Sequence, residues 1–329
     1  MTDRPSPPSS HEAKVVAGIL RDAEGRILLA QRTRGEHAGR WEYPGGKAEP
    51  GESLEEALRR ELEEELGVVI GGISALIEVP QTGARGPWRL CAFEVQAFKG
   101  EAHGREGQAL AWVAAERLRA YSMPPADLPV TAALLDPACY AITPDLAADR
   151  TEALVRGLDR LIAQGSPLRL QWRLPQWERS AAIGLLAAQL ARLRAAGIEV
   201  LLNGEPDEAR RLGCGLHLRS SMLATVERAE LYGLDAITAS CHDASELARA
   251  ASLDLDAVLL GPVASTATHP GARPLGWEEF VALRARCALP IYALGGLVPE
   301  DLPAARACGA QGIAAIRGLW PDQARVASG

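Results

Sequence analysis

The sequence lacks the cysteine spacing of a disulfide-stabilised or zinc-binding protein. Its six cysteines, among 329 residues, are scattered along the chain and form no C-x-x-C pair. Disulfide frameworks and zinc sites both need closely spaced cysteines, so neither is expected here. Unpaired thiols persist in a reducing compartment, and the pattern therefore favours a cytoplasmic protein.

An excess of positive charge and a long apolar run are also missing. Asp and Glu (42) outnumber Lys and Arg (35), which gives a net charge of −7. This balance argues against stable binding of nucleic acid but leaves a free nucleotide as a ligand for a local site. No apolar run is long enough to cross a membrane, so no membrane partner is expected. Residues 1–13, MTDRPSPPSSHEA, are polar and rich in Pro and Ser, which is typical of a disordered lead-in and not of a signal peptide.

The length of the chain predicts two domains. It exceeds one ordinary domain, and its 47% of hydrophobic residues can build two cores. The residue pattern changes near Tyr140. We therefore predict a first domain over 14–136 and a second over 140–320, with the short linker DPAC at 136–139.

Residues 46–68, GKAEPGESLEEALRRELEEELGV, carry the clearest functional signal. They fit the pattern G-x5-E-x7-R-E-U-x-E-E-x-G-U, where U is aliphatic, at every fixed position. The spacing of the leucines predicts a helix that Ser53 caps and that runs to about Leu66, with Gly67 as its C-terminal stop.

Three glutamates of this helix have a spacing that a solvated surface does not require. Glu61, Glu64 and Glu65 lie at i, i+3 and i+4, so their like charges converge on one face and repel each other. Divalent cations with oxygen ligands would remove that repulsion, and Mg²⁺ typically binds carboxylates together with substrate phosphates. The spacing therefore indicates a metal site that handles phosphates.

The rest of the first domain has an α/β order with mixed strands. Strands are predicted at 14–20, 26–32, 73–80, 88–98 and 111–113, and a short helix at 128–135. Asp22 and Gly25 would form the turn between the first two strands.

The motif at 46–68 resembles the signature of the Nudix hydrolases, which cleave nucleoside diphosphates linked to another group. Over about 14–136 the closer resemblance is to the MutT-type 8-oxo-dGTP diphosphatases. It rests on WEYPGGKAEPGE, on REGQALAW at 105–112 and on MPPADLPV at 123–130. It implies a Nudix α/β/α sandwich with a mixed sheet. It also implies Mg²⁺-dependent hydrolysis, with Mn²⁺ as an alternative metal, in which water attacks the β-phosphorus and releases a nucleoside monophosphate and pyrophosphate.

The resemblance also implies roles for individual residues. The metal ligands would be Glu61, Glu64, Glu65, Glu106 and the carbonyl of Gly45. Arg60 would hold the carboxylates in place, and Glu64, Glu65 or Glu106 would deprotonate or orient the water.

Four further residues fall where the MutT-type enzymes bind the nucleotide: Arg32, His37, Tyr43 and Asp127. Tyr43 stacks on a purine or packs in the core. Asp127 stands where the family has an Asn that reads the oxidised base. An ionised Asp can only accept hydrogen bonds, whereas Asn also donates, so the preference for the oxidised base is less secure than phosphohydrolysis. The alternative is that Asp127 caps the following helix.

The second domain alternates short apolar runs with helical segments. Eight strands are predicted: YAIT, LRLQWR, EVLLN, GLHL, DAITAS, DAVLLG, PIYALGG and GIAAIRG. Helices such as 179–196 and 276–286 lie between most of them. This order predicts a parallel sheet that closes into a TIM (β/α)8 barrel, with active groups at the C-terminal ends of the strands.

This half resembles the thiamine phosphate synthase/TenI superfamily. The motifs are YAITPD, SCHDASEL, LLGPVASTATHPG, LGW and YALGGLVPEDL. Backbone amides at Gly295 and Gly296 and near Ile316 and Arg317 would bind the phosphate of a thiazole or thiamine phosphate.

The second half departs from the synthase pattern where that family binds Mg²⁺ and diphosphate. Its Lys has become Pro175, one Asp has become Gly204, and the other carboxylate is lost in the loop 219–222. Coupling of a pyrimidine diphosphate is therefore not expected. The barrel is more similar to TenI, where His242 would be the acid/base of a thiazole tautomerase; alternatively it is a polar residue of a decayed site. His217 is expected to be structural.

Three functions remain. The first is an 8-oxo-dGTP diphosphatase of the nucleotide pool, which serves DNA repair and replication. The second is a thiamine-pathway protein, through a thiamine-related diphosphate substrate or the tautomerase. In the third, the barrel is only a phosphate-ligand sensor or scaffold. The MutT-like segments favour the first.

Overall fold

The structure, a computed structural model, describes residues 12–84, 86–265, 271 and 273–320. Most of the predicted lead-in, residues 1–11, and part of the motif LLGPVASTATHPG, residues 266–270, lie outside this description. The chain forms two compact units, and the main boundary between them lies between Asp136 and Pro137. Within the described ranges, every helix is too short or too polar to cross a membrane.

The described residues of the first unit form eight strands and two α-helices. The strands are β1 (Ala13–Ile19), β2 (Ile27–Gln31), β3 (Trp41–Glu42), β4 (Val69–Ile70), β5 (Ile73–Gly83), β6 (Gly86–Val95), β7 (Phe98–Lys99) and β8 (Leu110–Val113). The helices are α1 (Leu54–Leu66) and α2 (Leu128–Leu135), and a 3-10 helix spans Ala115–Ala120. The sheets run in the orders β1-β6-β5, β3-β2-β8 and β4-β7. Pairing is parallel between β1 and β6 and antiparallel between β5 and β6, so the sheet is mixed as predicted.

Alternation along β1 and β2 builds the predicted α/β/α sandwich. Val16 and Leu28 face one side and pack with the buried residues of α1, whereas Ala17 and Leu29 face the other side and pack with those of α2. Successive side chains of a strand point to opposite faces, so each strand contributes to both cores. The α1 core also explains Gly18, where a Cβ would lie 2.9 Å from a methyl group of Leu62.

One predicted strand is divided. The segment predicted as a single strand over 88–98 forms β6 and β7, with Gln96 and Ala97 between them. The Ala97 carbonyl accepts from the Gly71 amide over 2.7 Å, and the Gln96 amide donates to the Gly72 carbonyl over 2.9 Å. β6 therefore pairs with β5, whereas β7 pairs with β4. The apolar pattern did not indicate this change of partner. The turn at Asp22 forms as predicted, with a hydrogen bond of 3.0 Å from the Gly25 amide to the Asp22 carbonyl.

The second unit is a closed barrel of eight parallel strands, as the sequence predicted. The strands are β9 (Cys139–Ile142), β10 (Leu168–Trp172), β11 (Ile198–Asn203), β12 (Gly215–Leu218), β13 (Ile237–Cys241), β14 (Ala257–Leu260), β15 (Ile291–Leu294) and β16 (Gly312–Ala315). The helices outside them are α3 (Thr151–Ala163), α4 (Arg179–Ala195), α5 (Pro206–Leu212), α6 (Ser220–Leu223), α7 (Ala244–Ser252), α8 (Gly276–Arg284) and α9 (Leu302–Ala307). Pairing of β16 with β9 closes the ring.

Side chains fill the barrel, so its interior is a core and not a channel. Tyr140 and Tyr292 are fully buried there and meet edge to face, with ring centroids 5.3 Å apart. They pack with small and aliphatic residues of other strands, among them Leu201, Leu259 and Ala314. A filled interior confines any ligand to the ends of the strands.

Candidate active site

Helix α1 begins and ends where its sequence predicted. The amide of Glu56 donates to Ser53 Oγ over 3.2 Å, and the Glu56 carboxylate accepts from the Ser53 amide over 2.9 Å, which forms a capping box. Gly67 ends the helix in the left-handed conformation, with φ at 72°. Leu58 and Leu62 are fully buried. The caps and the apolar face fix the helix in position, and its glutamates lie on the other side.

The loop before α1 brings two glycines against the glutamates. On either side of Gly45, the carbonyls of Pro44 and Gly46 accept from the β1 amides of Gly18 and Val16, each over 2.8 Å. The Gly45 carbonyl accepts no hydrogen bond from any described residue. A Cβ at Gly45, whose φ is +147°, would lie 2.2 Å from the Val16 carbonyl oxygen.

Gly46 makes room for a carboxylate. A Cβ on Gly46 would lie between 2.2 Å and 2.6 Å from the carboxyl atoms of Glu61. A side chain at Gly46 would therefore displace the Glu61 carboxylate from the position in which Arg60 holds it.

Arg60 connects the carboxylates. Its guanidinium donates to both carboxyl oxygens of Glu52 over 3.0 Å and to Glu61 over 2.9 Å. It also donates to Glu64 over 3.3 Å and to the Lys47 carbonyl over 3.0 Å. The hydrogen bonds that Arg60 donates to Glu52 and Glu61 raise the pKa of Arg60. The arginine therefore stays charged and holds the acidic side chains beside the loop.

Glu65 lies nearest to the loop. Its carboxylate accepts from the Gly45 amide over 3.1 Å. Burial is the main cause that raises the pKa of Glu65 to about 7, and repulsion by Glu61, Glu106 and Glu42 adds to it, while the Gly45 amide opposes it. Glu61, Glu65 and Glu106 are thus close enough for their charges to repel.

The loop that carries Glu106 is tied to the end of α1. The Arg105 amide and the side-chain amide of Gln108 both donate to the Glu65 carbonyl, over 2.9 Å and 3.2 Å. Gln108 also accepts from the Glu106 amide over 2.8 Å. Glu106 is exposed, and its position beside Glu65 follows from these contacts between the two segments.

The donor set suits a hard divalent cation. It consists of carboxylates and one carbonyl without a hydrogen bond, and Mg²⁺ and Mn²⁺ prefer such oxygen ligands. Across the described residues, no three acidic, His or Cys side chains converge on one point. Arg60 engages Glu61 and Glu64, while Glu65 is directed to Gly45, so a cation would compete with these partners.

The contacts of Tyr43 and Asp127 bear on the alternatives that the sequence left open for these two residues. The Tyr43 side chain is 3% exposed, and its hydroxyl hydrogen-bonds to Thr131 over 2.8 Å. Tyr43 therefore packs in the core, as in the alternative interpretation. Asp127 occupies the N-cap position of α2, but its side chain forms no capping hydrogen bond.

The Asp127 side chain instead accepts from the Tyr43 amide, over 3.4 Å. It is 5% exposed. Burial raises the pKa of Asp127 to about 8, helped by repulsion from Glu42 and opposed by the Tyr43 amide and by Arg32. The carboxyl is therefore mostly protonated at pH 7. A neutral carboxyl offers one donor and one acceptor, as an Asn does.

Arg32 and His37 lie in the segment that follows β2. Arg32 forms an ion pair with Glu42, a residue that the sequence analysis missed although it lies within WEYPGGK. The buried Nε of Arg32 has no hydrogen-bond partner among the described atoms. His37 is half-buried in the turn that follows Arg32. The positive charge of Arg32 lowers the pKa of Asp127 and so opposes the effect of its burial.

In the barrel, His242 follows the fifth strand, β13, as predicted. Its Nδ1 hydrogen-bonds to the Glu246 carboxylate over 3.0 Å, and its side chain is 49% exposed. Gly295 and Gly296 follow β15 with φ of 107° and 68°, and Ile316 and Arg317 follow β16. All of these residues lie at the C-terminal ends of their strands.

His217 belongs to a buried polar network that sequence reasoning did not find. Its Nδ1 hydrogen-bonds to Tyr140 over 3.1 Å and to Thr238 over 2.9 Å, and its Nε2 to Ser240 over 2.9 Å. Burial, and secondly the charge of Arg173, lower the pKa of His217 to about 3. The ring is therefore neutral, and the predicted structural role agrees with its contacts. The alternation of polar residues in GLHL and DAITAS was the signal that could have found the network.

Comparison with known families divides the chain at the same place. A Nudix domain model matches residues 11–134, and a thiamine monophosphate synthase model matches residues 139–319.

Characterised relatives cover each half. The first half is 41% identical to the CTP pyrophosphohydrolase of Escherichia coli, over 37% of this chain and 90% of that protein. It is also 41% identical to the 8-oxo-dGTP diphosphatase of Haemophilus influenzae, over 37% and 91%. The second half is 33% identical to the thiamine-phosphate synthase of Azorhizobium caulinodans, over 55% of this chain and 90% of that protein.

Proposed function

The chain belongs to the Nudix hydrolases through its first half and to the thiamine monophosphate synthase family through its second, and we propose that the first half is a Mg²⁺-dependent nucleoside triphosphate pyrophosphohydrolase. Its preferred substrate would be 8-oxo-dGTP, converted with water into 8-oxo-dGMP and pyrophosphate. One observation carries the proposal: the glycine loop and Arg60 gather the acidic side chains of α1, with the Glu61 carboxylate against Gly46 and Glu65 accepting from the Gly45 amide over 3.1 Å. Nudix hydrolases generally use divalent metal ions such as Mg²⁺.

Each acidic residue has a part in the proposed reaction. Glu61, Glu64, Glu65, Glu106 and the Gly45 carbonyl would hold Mg²⁺, with Mn²⁺ as a substitute. The bound metal would neutralise phosphate oxygens and lower the pKa of a water molecule. Glu64, Glu65 or Glu106 accepts the proton of the attacking water.

Arg60 keeps the carboxylates in position. The water oxygen forms a bond to the β-phosphorus while the bond from that phosphorus to the α,β-bridging oxygen breaks. The nucleoside monophosphate leaves, and the water oxygen remains in pyrophosphate.

The neutral Asp127 carboxyl supports recognition of the oxidised purine. 8-Oxoguanine presents an N7–H donor and an O6 acceptor on one edge. A protonated Asp127 can accept from the first and donate to the second, whereas dGTP has no N7–H. CTP is the second candidate substrate, because the CTP pyrophosphohydrolase of Escherichia coli matches the same region.

A matched pair of substitutions tests the proposal. Glu64→Gln should lower turnover of 8-oxo-dGTP by several orders of magnitude, whereas Glu63→Gln, an exposed neighbour on α1, should leave it nearly unchanged. Specificity constants for 8-oxo-dGTP, dGTP, CTP and thiamine diphosphate then decide the substrate. Equal losses in both variants, or loss of the helical circular-dichroism signal in Glu64→Gln, would contradict a catalytic role for Glu64.

For the barrel, we propose that synthase activity is absent and that a phosphate-bearing ligand binds at Gly295, Gly296, Ile316 and Arg317. Thiazole tautomerisation is a second candidate, favoured by the His242–Glu246 hydrogen bond, which orients the imidazole for proton transfer. His242→Ala should then abolish thiazole isomerisation. A parent protein without any isomerisation would exclude the tautomerase and leave a sensor or scaffold.

A further inference from the structure

The mouth of the barrel does not suit the metal ion that the family resemblance implies. Gly204 stands where that pattern has an aspartate, and the loop 219–222 carries no acidic residue. Glu205, the adjacent acid, is already paired with Arg179 over 2.6 Å. In the part of the barrel that the structure describes, no group of acidic, His or Cys side chains could hold a metal.

A guanidinium group occupies the space of the missing aspartate. A Cβ built on Gly204, whose φ is +72°, would lie 2.8 Å to 2.9 Å from the guanidinium atoms of Arg219. The Gly204 amide is held by the His217 carbonyl over 2.8 Å, so the backbone is fixed there. Gly204 therefore leaves the space that the Arg219 guanidinium fills. A positive side chain lies where the family pattern has a negative one.

Arg219 is available to a ligand. It follows β12, is exposed, and pairs with no carboxylate among the described residues. An unpaired guanidinium held over a fixed backbone keeps its full donor set for an anion.

Arg173 supplies a second positive group. It follows β10, and its backbone is anchored on both sides: its amide donates to Thr143 Oγ1 over 2.8 Å, and its carbonyl accepts from the same hydroxyl over 2.5 Å. Its Nη1 is buried and has no partner within the described ranges. A buried donor without an acceptor is costly, and an anion at the mouth would provide the acceptor.

The two arginines lie on the same rim of the barrel. The strands β10 and β12 are separated only by β11, so the two backbones are about 10 Å apart. Side chains as long as arginine can reach one ligand across that distance. Guanidinium groups match the planar oxygen pairs of phosphates through two parallel hydrogen bonds.

We propose that the mouth of the barrel binds a phosphoryl anion, a phosphate monoester or a diphosphate, without a divalent metal, and that Arg173 and Arg219 supply the positive charge. This inference does not depend on the reaction of the first half of the chain.

Calorimetric titration of the full-length protein with inorganic phosphate and with inorganic pyrophosphate tests the proposal. In EDTA at least one anion should bind, and its affinity should not increase when Mg²⁺ replaces EDTA in a Glu64→Gln background, which removes turnover in the first half. Arg219→Ala should weaken binding by about tenfold or more, since hydrogen bonds between charged groups are lost. Arg219→Lys should recover part of the affinity. Arg156→Ala, which removes an exposed guanidinium from α3, is the matched control and should bind as the parent does.

Binding that requires Mg²⁺ would overturn the proposal, as would an Arg219→Ala variant that binds as tightly as Arg156→Ala. Arg173→Ala should also weaken binding. Because Arg173 is half-buried, this variant could lose its fold; if its circular-dichroism signal is lost, the result for the exposed Arg219 alone tests the proposal. Tighter binding of pyrophosphate assigns a diphosphate ligand, and equal or tighter binding of phosphate assigns a monoester.

Discussion

Replacing Asp127 with Asn should stabilise the first domain, and the gain should grow with pH. Burial raises the pKa of Asp127 from 3.8 to about 8. The folded state therefore favours the protonated carboxyl, and the stability that this provides is fully present below about pH 4 and is lost as the pH rises through 8. The difference between a pKa of 3.8 and one of about 8 corresponds to about 6 kcal/mol, of which about 4 kcal/mol is already lost at pH 7.

Asn is neutral at every pH and keeps the oxygen that accepts from the Tyr43 amide. The difference in free energy of unfolding between Asp127→Asn and the parent should therefore be small near pH 4 and reach a few kcal/mol near pH 8. Hydrogen exchange in peptides from β1 and α2, measured between these limits, reports the first domain separately from the barrel.

Asp22→Asn is a control in which the free energy of unfolding, relative to the parent, should change with pH in the opposite direction. Hydrogen bonds and charge from Arg26 lower the pKa of Asp22 against the effect of its desolvation. Its contribution is therefore present at neutral pH and lost in acid, so this variant should be the less stable at pH 7. A stability difference for Asp127→Asn that does not change between pH 5 and 8 would show that Asp127 is ionised at neutral pH and would refute the reasoning.

The remaining predictions concern the loop, the helix cap and the barrel interior. Gly46→Ala should lower turnover by at least about tenfold, because its Cβ displaces the Glu61 carboxylate; an unchanged rate would contradict that contact. Ser53→Ala should lower the free energy of unfolding by about 1 kcal/mol, as expected for a lost N-cap, while Ser74→Ala, on an exposed strand position, should not. The ring of His217 should remain neutral from pH 5 to 8, because burial lowers its pKa to about 3; nitrogen chemical shifts that titrate in this range would contradict its burial.

Much of the fold was predictable because its signals are local. Ser53 and Gly67 terminate α1 through contacts within a few residues, so the bounds of the helix could be inferred from the sequence. The eight barrel strands were equally accessible, because each is a short apolar run between helical segments. The division of the strand predicted over 88–98 was not accessible, since it depends on pairing with Gly71 and Gly72.

The chemistry of the sites was less predictable because it depends on distant contacts. The resemblance places Asp127 where the MutT-type enzymes have an Asn, but the burial that raises its pKa depends on residues distant in the chain, such as Tyr43, 84 residues away. Likewise, the resemblance places Gly204 where the synthases have an aspartate, whereas the position of Arg219 over Gly204 is a tertiary contact. Side-chain roles that depend on such contacts, including the core position of Tyr43, require the fold.

The most direct test of the central claim is product analysis of 8-oxo-dGTP hydrolysis in ¹⁸O-labelled water with Mg²⁺, by mass spectrometry. The account predicts 8-oxo-dGMP and pyrophosphate, with the label in pyrophosphate, and no turnover in EDTA. Release of orthophosphate and a nucleoside diphosphate, or equal turnover without metal, would contradict it.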